Sequence, residues 1–310
     1  MKYINGLVVA AALFGGGCRF LIDVDEPMCE THEYCEAQFG EGVACSAAGV
    51  CEVLTETESA ELKWRARYPC LFEEDERLTV PDTMPGATVN VSVYVINFWT
   101  QAEVPEFGTT FKVCGASREC AEPASETFFA NNMVSATVPH GYTGTVRFEN
   151  EAYLTTTMYT NLPYTDDRDL ITLALLSGED LATSITLANE EVVNLTSLIV
   201  ETKDCSGGYA EGVVIENTDL DGSERYHQPF YIASQQGDRD LAAMTPADTI
   251  GLRDDGILRT VGGWTNLASG NAQVIGTLQG TDIEFGRANV QVRVDQMTQV
   301  RMYPIVQDAN

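Results

Sequence analysis

The residues best suited to chemistry in this sequence are three oxygen-bearing side chains followed by a glycine. Asn217, Asp219 and Asp221 occupy alternate positions, and Gly222 comes next. Calcium loops begin in this way, because alternate oxygen ligands need a glycine at the sharp turn that follows them. Such a loop closes with a bidentate acid, but that position holds Gln228. We interpret the pattern as a solvated Asp-Gly turn, and a weakly bound structural calcium ion is the alternative hypothesis.

Motifs for catalysis are otherwise missing from the sequence. The three histidines are His32, His140 and His227, and none forms an H-E-x-x-H metal motif. We expect His140 and His227 to lie exposed in a turn and in a polar insert. No G-x-S-x-G elbow, P-loop or G-x-G-x-x-G occurs. The sequence therefore favours a non-enzymatic protein without a cofactor, and a cell-envelope hydrolase assembled from distant segments is an alternative.

Nine cysteines form the most specific pattern in the chain. Between residues 19 and 55 their spacing is C-x5-C-x9-C-x5-C, and large apolar residues are few there. About thirty such residues cannot hold a fold without cross-links. We therefore expect a knot with two disulfides of undetermined pairing, although a four-thiolate zinc site with unusually wide ligand spacing is an alternative. The cysteines expected to form disulfides are Cys29, Cys35, Cys45, Cys51, Cys70, Cys114, Cys120 and Cys205, of which Cys114 and Cys120 would bridge the ends of a short turn.

The first eighteen residues have the parts of an export signal. Lys2 precedes a short apolar run, and three glycines then lead into Cys18. The run is much shorter than the ~20 residues that span a bilayer. Small residues that end at a cysteine resemble a bacterial lipoprotein signal, with Gly15 where leucine is usual, and this resemblance implies that Cys18 carries the lipid. Plain secretion, or a leader-like buried strand in a cytosolic protein, are the alternatives.

The charge of the chain excludes several partners. There are 46 acidic and 18 basic residues, so the formal net charge is −28. Such a chain repels phosphate backbones, and we therefore expect no nucleic-acid partner. Anionic headgroups are disfavoured for the same reason, so membrane attachment would depend on acyl chains at Cys18. This predicts a lipid-anchored protein of the bacterial cell envelope, at the outer rather than the inner membrane.

Alternating apolar residues predict an all-β body with two antiparallel β-sandwiches. Val89 to Val95 alternate with polar residues, and shorter alternating runs follow at regular spacing. Leucines 170, 173, 176 and 181 fit a helical face better, and Ser177 with Asp180 resembles a capping box. We divide the chain into a signal peptide (1–18), a cysteine-rich knot (19–55), a linker (56–69), a first sandwich (70–165), a helical linker (166–192) and a second sandwich (193–310).

Two turns of the second half carry a family resemblance. Residues 204–213, beginning Asp204-Cys205-Ser206-Gly207-Gly208, and residues 262–270, which contain Trp264 and Asn266, resemble the turns of carboxypeptidase-regulatory-like modules. The resemblance implies transthyretin-like sandwiches without a catalytic site. The N-terminal knot resembles a cysteine-rich repeat of exported lipoproteins of gliding soil bacteria.

These observations together predict a membrane-anchored, non-enzymatic module of the surface or periplasm. It would present a β-sandwich to envelope proteins or polysaccharide. A purely structural spacer is an alternative, which an absence of exposed apolar or aromatic patches would indicate. Trp64, Trp99 and Trp264 could face a glycan, but we expect such residues to be core.

Overall fold

The structure is a computed structural model of the 310-residue chain. It describes residues 29–40, 42–46, 49–73, 78, 84–98, 104, 109–115, 123–125, 127–130, 133–165, 171–187, 195–219, 229–235, 250 and 258–305. None of the helices among these residues has the length and hydropathy of a membrane span.

Strands dominate the described residues. The helices are α1 (His32–Phe39), α2 (Glu56–Arg67), α3 (Pro69–Phe72) and α4 (Gly178–Leu187). The strands of the first half are β1 (Val43–Cys45), β2 (Cys51–Val53), β3 (Thr88–Asn97), β4 (Thr109–Cys114), β5 (Pro123–Ser125), β6 (Thr127–Ala130), β7 (Met133–Pro139), β8 (Thr145–Asn150), β9 (Tyr153–Thr160) and β10 (Ile171–Leu175). Those of the second half are β11 (Ser197–Thr202), β12 (Val213–Asp219), β13 (Phe230–Gln235), β14 (Leu258–Thr265), β15 (Gly270–Leu278), β16 (Glu284–Val292) and β17 (Gln296–Met302). The prediction of a mainly β chain is confirmed.

The chain divides into two compact units, residues 1–59 and 60–310. The described part of the first unit is a small cystine-linked fold. Thr31 caps α1 by accepting a hydrogen bond from the backbone N–H of Tyr34. Strands β1 and β2 form a hairpin. The disulfides Cys29–Cys45 and Cys35–Cys51 tie the hairpin to α1 and the residues before it, so cross-links supply the stability that a core this small cannot.

The described residues of the second unit form three sheets, and one of them runs through both predicted sandwiches. This central sheet has eight strands in the order β13-β14-β11-β17-β9-β8-β4-β5. A four-stranded sheet has the order β10-β3-β7-β6, and a three-stranded sheet has the order β12-β15-β16. Because β17 pairs in parallel with both β9 and β11, the last of the described strands joins the two halves.

The two hydrophobic cores lie on opposite faces of the central sheet. Neighbouring residues of a strand point to opposite faces. On β9, Met158 packs in the core with Val146 and Phe148, whereas Tyr159 packs in the core with Val300 and Trp264. The first of these cores contains residues of the four-stranded sheet, and the second contains residues of the three-stranded sheet. Each smaller sheet therefore covers a different face of the shared one.

This arrangement changes the architecture that the sequence predicts. Residues 70–165 and 193–310 do not form two separate pairs of sheets, because the central sheet crosses the boundary between them. The alternating pattern of the sequence also does not predict β17 (Gln296–Met302). The helical pattern assigned to leucines 170–181 was partly wrong: β10 is a strand parallel to β3, and Leu173 and Leu175 are both buried because alternate residues share one face.

The predicted linking helix is present. α4 spans Gly178–Leu187, within the predicted helical linker of residues 166–192. The N-cap contact of the predicted capping box is confirmed, because Ser177 Oγ accepts from the Asp180 N–H at 3.0 Å. The Asp180 carboxylate accepts from the Ser177 hydroxyl at 2.7 Å, whereas in a capping box it accepts from the backbone N–H of the cap residue. Leu181 packs with Ile199 and Met297 in a third apolar cluster. The helix thus covers central-sheet strands β11 and β17 on the face opposite the three-stranded sheet.

Candidate functional site

The segment before the β body docks onto the second half of the chain rather than the first. Trp64, near the end of α2, donates its indole N–H to the carbonyl of Gln279 at 2.8 Å. The Tyr68 hydroxyl donates to the carbonyl of Glu211 at 2.7 Å and accepts from the Glu211 N–H at 2.6 Å. Although α2 and α3 precede the first predicted sandwich in sequence, these contacts fasten them to the end of the three-stranded sheet. We call residues 60–72 the latch.

Aromatic packing completes the latch. The rings of Trp64 and Tyr68 are stacked with centroids 5.9 Å apart, and Tyr68 meets Phe285 edge-to-face at 5.5 Å. Trp64 and Tyr68 are 2% and 0% exposed. Burial raises the pKa of Tyr68 to about 12, so its hydroxyl keeps the proton that it donates. The prediction that Trp64 and Trp264 are core residues is confirmed, and Trp99 lies outside the described residues.

Gly212 is the position that the latch requires to be glycine. Its φ is +71°, a conformation that side-chain-bearing residues rarely adopt. A Cβ at this position would lie 1.9 Å from the Cη2 atom of Trp64. The absence of a side chain therefore serves both the backbone turn and the close approach of the indole ring.

A disulfide closes the latch covalently. Cys70, in α3, is bonded to Cys205 across 135 residues of sequence. Cys205 lies in the turn after β11, where the Asp204 carboxylate accepts from the N–H groups of Ser206 at 2.9 Å and Gly208 at 2.8 Å. The disulfide attaches the latch to the turn that leaves the central sheet.

A buried ion cluster lies on the same sheet, next to that turn. Glu201 of β11 and Arg301 of β17 are register partners, and the guanidinium contacts one carboxylate oxygen through two nitrogens at 3.1 Å. Lys203 Nζ is 3.1 Å from the other oxygen and lies over the Tyr209 ring at 3.7 Å. The three charged residues are 5–7% exposed. The carboxylate is paired with both cations, and such pairing lowers the free-energy cost of burying the charges.

The ion cluster sets the protonation state of Glu201. Burial by itself would raise the pKa of this carboxyl, but Arg301 and Lys203 more than offset burial and hold the pKa below its ordinary value. The carboxylate therefore stays ionised at neutral pH and is committed to its two cations, which makes the cluster a structural cross-link between β11 and β17.

The predicted calcium residues lie in a strand instead of a turn. Asn217 and Asp219 belong to β12, and Asp221 lies outside the described residues. Asn217 shares the inward face of β12 with Val213 and Ile215. Within the described part of the chain, neither side-chain atom of its buried amide has a hydrogen-bond partner. Calcium binding stays a prediction, and the orphaned amide is the observation that bears on it.

The structure pairs most of the predicted disulfide cysteines. Cys29, Cys35, Cys45 and Cys51 are all disulfide-bonded, so the knot offers no thiolates for the alternative zinc site. The sulfurs of Cys29, Cys35 and Cys45 lie within 4.8 Å of one another, but each belongs to one of these two disulfides. Cys114 is also disulfide-bonded. Its expected partner Cys120, and the expected lipid-bearing Cys18, lie outside the described residues.

Two histidines accept backbone hydrogen bonds. His32 Nδ1 accepts from the Cys45 N–H at 3.1 Å, and His140 Nδ1 accepts from the Met84 N–H at 3.2 Å. His140 is 8% exposed, so our expectation of an exposed turn residue was wrong. It fastens the turn before β3 to the turn after β7. His227 lies outside the described residues.

Comparison with known proteins does not assign this chain to a family. No protein-family description matches the chain, and no curated protein sequence matches it. Among solved structures, a streptococcal ancillary pilin is 12% identical, with a TM-score of 0.20 over 70% of this chain and 69% of the pilin. The BcpA major pilin subunit of Bacillus cereus is 12% identical, with a TM-score of 0.21 over 66% of this chain and 56% of the pilin. Likenesses of this size transfer neither the fold nor the function of those pilins to this chain.

The first prediction concerns the latch. Gly212→Ala should lower the free energy of unfolding by more than the control Gly207→Ala, because both positions have a positive φ but only Gly212 faces Trp64. Backbone strain costs about 1–2 kcal/mol at either position, and the clash with Trp64 adds to it at Gly212. Urea denaturation of both variants measures the difference. Equal losses would show that Trp64 is not seated against Gly212.

The second prediction concerns the ion cluster. Glu201→Gln should cost about 3 kcal/mol of stability, because it leaves Arg301 and Lys203 buried without their anion. The control Glu149→Gln, which removes the partly exposed acid paired with Lys112 and Arg147, should cost less than about 1 kcal/mol. Equal effects in denaturant unfolding at neutral pH would contradict the assignment of a buried cluster.

The same variant has a predicted pH dependence. The pKa of the Glu201 carboxyl is lower in the folded than in the unfolded chain, so its ionised form favours folding. The difference in unfolding free energy between wild type and Glu201→Gln should be largest above pH 4.5, the ordinary pKa of the carboxyl. It should shrink as the pH falls through the lower pKa that Glu201 has in the folded chain. A difference in unfolding free energy that stays constant as the pH is lowered would contradict a lowered pKa of Glu201.

The third prediction concerns the orphaned amide. Asn217→Val should raise the unfolding free energy by about 1 kcal/mol, because it removes a buried amide without a partner and suits a strand. Thr218→Val, on the outward side of β12, is the control and should change little. Thermal melting measures both. A lower melting temperature for Asn217→Val, together with a similar decrease when the wild type is treated with EDTA, would instead establish a calcium site.

Proposed function

We propose that this chain is an exported, lipid-anchored and non-enzymatic module of the bacterial cell envelope. It would act as a surface or periplasmic binding module. The observation that carries the proposal is the set of disulfides Cys29–Cys45, Cys35–Cys51 and Cys70–Cys205, all of which follow the leader-like residues 1–18. Disulfides of this kind persist in oxidising compartments and are rare in the cytosol.

The latch supports a tethered role. An anchor at Cys18 would connect to the body through residues 60–72, which hydrogen bonds, stacked rings and a disulfide hold to the second half of the chain. The last connection before the body is therefore a docked, cross-linked joint. A module that presents a binding surface from an anchor benefits from such a joint, because less of its orientation is lost to a loose linker.

The absence of a catalytic step is also part of the proposal. The buried charged residues Glu201, Lys203 and Arg301 are paired with one another. The resemblance to carboxypeptidase-regulatory-like modules points the same way. In the proposed role, the sheets supply the surface that binds a partner.

The test is the intact mass and location of the protein in its native host. We expect the membrane-bound protein to begin at Cys18, to carry acyl chains, and to retain its cysteines as disulfides. Cys18→Ser should release the chain from the membrane fraction, while Cys29→Ser with Cys45→Ser, the control, should leave it membrane-bound. Retention of residues 1–17 together with reduced thiols would contradict the proposal.

A further inference from the structure

Exposed apolar side chains are concentrated in the cysteine-rich knot. Among the described residues, seven large apolar side chains are exposed, and four of them belong to the knot: Tyr34, Phe39, Val50 and Val53. Val53 is 82% exposed and Phe39 is 52% exposed. Because two disulfides hold the knot, its fold does not require these side chains to be apolar. Apolar side chains that lie close together on a surface, without serving a core, mark an interaction site.

Phe39 and Val53 lie at the same end of the knot. In the β1–β2 hairpin, Val43 is directly opposite Val53, and both are on the same side of the hairpin as Cys51. The disulfide Cys35–Cys51 joins that side to α1, and Phe39 is one helical turn from Cys35 on the same helix face. The chain passes from Phe39 to Val43 in four residues, which span at most about 14 Å. We call Phe39, Val43 and Val53 the apolar end.

The charges of the knot are all negative. Between Cys29 and Leu54 the sequence has five glutamates and no aspartate, lysine or arginine. The glutamates are Glu30, Glu33, Glu36, Glu41 and Glu52, and the four that the structure describes, all but Glu41, are exposed. Glu36 is a helical neighbour of Phe39, and Glu52 precedes Val53 in β2. The apolar end therefore has carboxylates beside it, and the knot itself supplies no lysine or arginine to neutralise them.

This combination favours one class of partner. A second copy of the knot, an anionic lipid surface and nucleic acid are all disfavoured, because each would bring negative charge against the glutamates. Sugar hydroxyls are recognised through hydrogen bonds, which the phenylalanine and valine side chains of the apolar end do not form. Protein interfaces combine an apolar core with a polar rim. A protein surface with an apolar pocket and lysines or arginines at its rim matches both features of the knot.

We propose that the knot docks a basic protein surface, with Phe39 and Val53 seated in an apolar pocket and the glutamates facing lysines and arginines around it. This inference rests on the proposed binding function and names the class of partner. The apolar contacts supply most of the affinity, since desolvated side chains at the centre of an interface dominate its binding energy. The glutamates speed association and exclude acidic partners.

The experiment measures binding of the mature chain, purified with its disulfides intact, to a fluorescent amphipathic peptide made only of Leu and Lys. The control peptide has Ser in place of every Leu and keeps the same charge. At physiological salt we expect the Leu-Lys peptide to bind at least about tenfold more tightly than the Ser-Lys peptide, a difference of about 1.4 kcal/mol. This comparison separates the apolar contribution from the attraction that any cationic peptide has for a chain with a net charge of −28.

The variants locate the binding surface. Phe39→Ser with Val53→Ser should weaken binding of the Leu-Lys peptide about tenfold, and Val53→Ser alone about threefold. The matched control, Met84→Ser with Val294→Ser, removes two exposed apolar side chains outside the knot and should change binding less than about twofold. Val53 is too exposed to support the fold, so its single variant remains informative if the double variant is unstable. Thermal melting checks that each variant is folded.

Several outcomes would overturn the inference. Equal binding of the two peptides would show that charge alone attracts them, and equal weakening by the two double variants would place the binding surface elsewhere. Absence of binding to the Leu-Lys peptide would also count against the proposal. A wild-type dimer in sedimentation, or binding to phosphatidylcholine vesicles, that Phe39→Ser with Val53→Ser abolishes would assign the apolar end to a second copy or to a lipid surface. The proposed function is judged separately, since acylation and membrane location are measured without the peptide.

Discussion

The structure depends on the position of β17 between β9 and β11. This last strand pairs in parallel with one strand from each half of the chain, so one sheet extends from β13 to β5. Its alternate residues serve different purposes. Val300 and Met302 are buried in the core beneath the three-stranded sheet, while Arg301 points to the other face and pairs with Glu201. Without β17, the two halves would share no backbone hydrogen bonds between strands in the described part of the chain.

Placing the smaller sheets on opposite faces of one sheet explains why the chain needs several kinds of cross-link. At β11 and β17, the three-stranded sheet covers one face of the central sheet, and α4 with its apolar cluster covers the opposite face. The ion cluster lies on the same face as α4. The end of the three-stranded sheet is closed by the latch through Trp64 and Tyr68. The disulfide Cys70–Cys205 then joins the latch to the end of β11. Hydrophobic packing, ion pairing and covalent bonding thus converge on β11, one of the two neighbours of β17.

The sequence predicted the features that depend on near neighbours. Alternation of valines located β3, and the Ser177–Asp180 pair located the start of α4, because both signals act within a few residues. The sequence could not predict the disulfide partner of Cys70, because no pattern near Cys70 points to Cys205, which is 135 positions away. The sequence also did not predict β17. Both faces of this strand are buried, and all of its residues except Gln296 lie inside the protein. The polar residues Gln299 and Arg301 therefore interrupt the apolar pattern although they are buried.

The most direct test of this account is hydrogen exchange of the mature chain and of Val300→Asp, with Val294→Asp at an exposed turn position as the control. If β17 holds both halves together, Val300→Asp should lower the protection of β3 and of β15 by the same free energy, and Val294→Asp should lower neither. Loss of protection in β15 alone, with β3 unchanged, would show that the two halves fold independently and would contradict the shared sheet.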